Sequence, residues 1–97
     1  MIAIIVDHVA VVGQESAGLG LIRANGTAMR MMPGFRARHT FVARDDKRSI
    51  STVTLWNAEA DYQRWLASPE KKRIARPPGE LWVIPPVPRL FDEIAES

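Results

Sequence analysis

The chain has no cysteine, which removes disulfides, thiolate metal sites and cysteine nucleophiles together. It also lacks a long apolar run. Residues 1–6 are hydrophobic but lead straight into Asp7 and His8, too short and too interrupted for a signal-peptide core or a membrane span. The expectation is a cytoplasmic protein with no membrane partner. An excess of either charge is missing as well. Thirteen Lys and Arg against 11 Asp and Glu leave a formal net charge of +2, too balanced for the electrostatic footprint of a nucleic-acid binder. The one local cluster, Arg36, Arg38, Arg44, Lys47 and Arg48, falls where a hairpin is expected, and charged edges discourage sheet-to-sheet aggregation.

What is present is ordinary globular composition, 46% hydrophobic and 25% charged, in 97 residues. That length accommodates a single domain spanning 1–97. So small a domain buries a reduced share of its surface, so hiding an apolar sheet face against a second copy stabilises it, and a homodimer is expected.

Ile2, Ile4 and Val6 alternate with Ala3, Ile5 and Asp7, predicting a first strand over about residues 2–11 with His8 opposite Asp7. From 15 to 31 the spacing becomes helical, with Ala17, Leu21, Ala24, Ala28 and Met31 as the expected apolar stripe. Gly18, Gly20 and Gly26 weaken that helix by about 0.5–1 kcal/mol each, so packing must hold it, or the glycines admit a close neighbour. Pro33-Gly34 ends it. A hairpin follows: one strand from Phe35, with Phe35, Ala37, His39 and Phe41 on one side, a turn at Asp45-Asp46-Lys47, and a strand over 50–56. Asn57 is placed to cap a second helix carrying Ala58, Tyr62, Trp65 and Leu66 on one side, and Ser68-Pro69 to start another helical piece. Five prolines and a glycine crowd residues 76–88, predicting an extended surface segment, and the last strand falls in 81–84, in 87–94, or in both. The order β-α-β-β-α-β is an α+β, ferredoxin-like arrangement, a four-stranded antiparallel sheet with helices on one face.

Two motifs carry a resemblance. Met32-Pro33-Gly34-Phe35 opens the second strand, and Leu55-Trp56-Asn57-Ala58-Glu59-Ala60-Asp61-Tyr62-Gln63-Arg64-Trp65-Leu66-Ala67-Ser68-Pro69 leads into and through the second helix. Together they make residues 1–75 similar to the antibiotic biosynthesis monooxygenase (ABM) family, whose ferredoxin-like subunits pair into dimeric α/β barrels; 76–97 form a proline-rich, poorly matched tail. The resemblance implies a monooxygenase, either a cofactor-free enzyme acting on an aromatic or quinol-type small molecule with O₂, or a haem degrader. The haem-degrading branch uses an Asn on the first strand, a Trp on the second helix and a His beyond it. Trp65 matches the Trp; Asp7 stands at the Asn position, and the His position falls on or beside Ile74. Haem iron needs a strong axial donor, so the cofactor-free branch, with no metal, ranks first, and a non-catalytic ligand-binding dimer of the same fold stands as the alternative.

The candidate catalytic residues are therefore Asp7, His8 and Trp65. Trp65 offers an indole face to a flat ligand or simply packs in the core. Asp7 and His8 are titratable groups in an apolar strand, costly unless paired or open to a cavity or solvent. Candidate substrate-binding residues are Asn57, otherwise a helix cap, with Tyr62 and Arg64, an arginine being suited to stabilising a phenolate. His39 is expected in the core or a dimer interface.

Overall fold

In a computed structural model, which describes residues 1–96, the elements follow the expected order, with the helical segment after the hairpin split in two. They are β1 (Ile2–Val9), α1 (Glu15–Met29), β2 (Phe35–Val42), β3 (Ser49–Trp56), α2 (Glu59–Leu66), α3 (Pro69–Ile74) and β4 (Arg89–Asp92). The sheet order is β2-β3-β1-β4, every pairing antiparallel. This is the ferredoxin-like α+β arrangement.

Strand alternation sorts the side chains of β1. Ile4 is buried on the helix-covered face with Val6 and His8, while Ile5, Asp7 and Val9 point to the opposite, uncovered face. In β3, Ile50, Thr52, Thr54 and Trp56 are buried in strict alternation with half-buried Ser51, Val53 and Leu55. The covered face holds the core, in which Ile4, Met29, Trp56, Tyr62 and Trp65 form one cluster. Trp56 meets Tyr62 edge-on at 6.0 Å and Phe35 at 5.5 Å between ring centroids, geometries that aromatic quadrupoles favour.

Three local expectations are corrected. The buried stripe of α1 is Gly18, Ile22, Gly26 and Met29, not the one through Met31, which is exposed. The glycines thus face inward: a Cβ on Gly18 would meet the Trp82 ring, and one on Gly26 the Arg38 side chain. Second, a β-bulge shifts the register between Phe35 and Ala37, so Phe35 packs on Trp56 while His39 and Phe41 lie exposed on the opposite face. His39 is not a core residue. Third, α2 is capped by Ala58 without a side-chain hydrogen bond; Asn57 instead accepts from Arg36 Nη1 at 3.4 Å. The α3 cap follows the sequence reading, with Pro69 in the first turn and Lys71 N–H donating to Ser68 Oγ at 3.2 Å.

The proline-rich segment is more than surface. Leu81 is fully buried, its carbonyl accepts from Val11 N–H and Val83 N–H donates to the Val9 carbonyl, and Trp82 forms a bridge with Ala10. The chain then turns through Pro85, Pro86 and Pro88 into β4, which pairs with the start of β1. Both candidate positions for the last strand are used, the first as an isolated bridge and the second as β4.

Candidate active site

Between the covered face of the sheet and the helices lies a cavity of about 380 Å³, within the roughly 300–1,000 Å³ typical of small-molecule sites. Its floor is β1 and β3, through Ile4, Val6, His8, Thr52 and Thr54. Its walls are α1, through Leu21, Ile22, Asn25 and Met29, and α2, through Tyr62, Trp65 and Leu66. Lys71, Arg76, Trp82, Pro86 and Pro88 of α3 and the segment after it close it over.

Of the six residues expected at the site, three converge here: His8, Tyr62 and Trp65. Trp65 is 2% exposed and contributes its indole to the cavity wall. Tyr62 is buried, and burial raises its phenol above the ordinary value, so it stays protonated and able to donate.

His8 has the most specific chemistry. Its Nδ1 lies 3.1 Å from the Ile50 carbonyl oxygen. A carbonyl only accepts, so Nδ1 carries the hydrogen and Nε2 keeps the lone pair. Burial lowers the imidazole below its usual value; the Ile50 carbonyl opposes that, Arg38 adds to it, and Asp7 works against it. The ring is therefore a neutral base near pH 7. It leans on the Trp82 indole with 4.6 Å between centroids.

The other three do not reach the cavity. Asp7 is one residue from His8 and so on the other face of the sheet, where Ser51 Oγ donates to Oδ1 at 2.6 Å and Arg89 Nη2 approaches Oδ2 at 3.4 Å. Asn57 is exposed and engaged with Arg36. Arg64 is exposed and pairs with Asp61 at 2.9 Å.

Two wall residues escaped the sequence reading. Trp82 was hidden in a proline-rich stretch that reads as surface. In the sequence Arg38 is one of several hairpin-edge charges; its phase opposite His39 is the available signal, hidden by a bulge that sequence does not show. Its Nη2 donates to the Ile22 carbonyl at 3.1 Å, and its Nη1 lies 3.3 Å from Met29 Sδ. Burial, with a smaller contribution from Arg30, lowers the guanidinium to about 10, which still leaves it charged at neutral pH.

No family model and no curated protein matches the chain. Solved structures do. Rv0793 from Mycobacterium tuberculosis superposes with a TM-score of 0.86 at 19% identity, covering 99% of this chain and 97% of that one. A protein named antibiotic biosynthesis monooxygenase gives 0.85 at 18%, covering 98% and 100%. SnoaB from Streptomyces nogalater, named a cofactor-independent oxygenase, gives 0.85 at 17%, covering 98% and 94%. The resemblance carried by the two sequence motifs is thus met across the whole chain at the level of architecture: this protein has the fold of the antibiotic biosynthesis monooxygenases.

Proposed function

We propose that the protein is a cofactor-independent monooxygenase that oxidises a flat, electron-rich aromatic or quinol-type molecule with O₂, working as a homodimer. The observation that carries this reading is a half-buried base and a buried indole on one cavity: His8, its lone pair on Nε2, lines the same cavity as Trp65. The likeness to SnoaB, which is named a cofactor-independent oxygenase, supports the reaction class.

In this reading the ligand lies against Trp65, and His8 removes a proton from a ring carbon activated by a phenolic oxygen, in its keto tautomer. The delocalised anion transfers an electron to O₂, and the resulting pair combines to form a C–O bond. The hydroperoxide takes up the proton and loses water, leaving a carbonyl. One oxygen atom enters the product and the other leaves as water, so the substrate alone supplies the electrons. Tyr62, a protonated phenol, donates to the developing oxyanion. Asp7 has no part in this, being on the far side of the sheet. That side supports the dimer: Ile5, Val53, Leu55 and Phe91 lie partly exposed on it among Asp7, Ser51 and His39.

Oxygen consumption is the test. A panel of naphthols, anthrones and hydroquinones is mixed with the protein in air-saturated buffer, with chelator present. Uptake with at least one member, reduced on the order of 10²-fold or more in His8→Phe, supports the reading. No uptake above that of Trp65→Phe on any member removes it, and ligand binding without turnover would then favour a binding protein of the same fold.

A further inference from the structure

Every ionisable side chain on the cavity wall apart from Tyr62 is a base: His8, Arg38, Lys71 and Arg76. No aspartate or glutamate among the described residues lines it. Arg76 is neutralised by Glu80 outside the cavity. Arg38 has no such partner. It makes no ion pair among the described residues, and the groups it touches are a neutral carbonyl and a thioether.

Such an arrangement is costly. A guanidinium partly withdrawn from water without a counter-charge loses hydration that a carbonyl and a sulfur replace only in part. The desolvation is strong enough to lower its proton affinity to about 10. Nor does the site merely tolerate the arginine, because it is built around it. The inward glycine at Gly26 leaves the space through which the chain runs, and a Cβ there would sit 3.0 Å from Nε. Of its five N–H groups two are engaged, so three have no protein acceptor among the described residues.

We propose that Arg38 determines specificity by holding an acidic group, so that the ligand of this cavity is an aromatic carboxylate rather than a neutral aromatic. This rests on the cavity being the ligand site, as in the function proposed above, and not on the oxygen chemistry. A planar fork matches a carboxylate with two parallel hydrogen bonds. The apolar part of the ligand then lies along Trp65 and Leu66, and Lys71 of α3 adds a second positive charge on the wall.

Calorimetric titration with 2-naphthoate and 2-naphthamide, which share shape and ring system, tests this. The expected result is a preference for 2-naphthoate on the order of 10- to 100-fold, lost in Arg38→Gln, with the amide changed less than about threefold. Arg38→Gln risks unfolding, since it gives up the Ile22 bond, so Arg38→Lys serves as the second variant. It keeps the charge but not the fork and should retain only part of the preference. Equal binding of the two probes by the wild type, no binding of either, or a preference that survives Arg38→Gln and disappears in Lys71→Gln overturns the proposal. A preference that follows Arg38 in a protein that consumes no oxygen upholds it and removes the oxygenase reading alone.

Discussion

Gly18 and Trp82 are in direct contact: a Cβ built on Gly18 would lie 2.8 Å from Trp82 Cη2. The missing methyl lets the proline-rich segment lay its indole on α1 and close one wall of the cavity. Gly20, two residues on, has nothing within 4 Å.

The two glycines therefore predict opposite outcomes. Gly20→Ala stabilises the protein by about 0.5–1 kcal/mol through helix propensity alone. Gly18→Ala gains the same propensity but must displace the Trp82 ring, so its melting temperature rises less or falls, and tryptophan emission shifts to the red. Thermal unfolding and fluorescence of the pair check this.

Gly34 is fixed twice over. Its φ is +82°, and a Cβ there would overlap the Asp61 side chain. Gly34→Ala is expected to cost upwards of about 1 kcal/mol, with denaturant titration as the measurement. Restoring space with Asp61→Gly in the same chain should recover only part of the loss, because the backbone strain persists.

His8 sets a pH dependence whose sign is defined. Its folded value lies below 6.5 because of burial, so the unfolded chain takes up a proton that the folded one resists. The stability it contributes is present above pH 6.5 and is lost as pH falls toward the folded value. His8→Phe should make the fall in melting temperature between pH 7.5 and 5 shallower. Under the proposed function, in which His8 is the base, oxygen uptake by the wild type should drop over the same acid range as the imidazole becomes protonated.

Ser68 ties α3 to α2. It accepts from Lys71 N–H at 3.2 Å and donates to the Trp65 carbonyl at 2.7 Å. Ser68→Ala should cost about 0.5–2 kcal/mol. Amide exchange should speed first in 69–74, the helix that carries Lys71 to the cavity.

Much of the architecture was legible because periodicity reports burial directly. The alternation in 2–9 and 49–56 and the Pro33-Gly34 break give the strands and the end of α1. The stripe of α1 was misread because hydrophobicity counts side chains, whereas two of its inward positions are defined by having none. Of the site, Tyr62 and Trp65 were readable from helical spacing and His8 from its apolar strand. Arg38 was not, since sequence does not reveal an unpaired residue in a ladder. Trp82 was not, because its burial depends on pairing with the end of β1, a contact over 70 residues away in sequence.

That unpaired residue is Arg36, which has no partner in the β2–β3 register. Strand positions have a parity, and one insertion inverts it for everything downstream. Phe35 and Arg38, three apart, would face opposite ways in a regular strand; here one plugs the core beside Trp56 while the other enters the cavity. Deleting Arg36 would restore regular parity at no change in the remaining composition. Phe35 and Arg38 would then stand two apart, opposite Trp56 and Thr54, and would share the covered face without any bulge. The extra residue thus leaves the directions of Phe35 and Arg38 unchanged and serves instead to place, outside the ladder, the guanidinium that reaches Asn57.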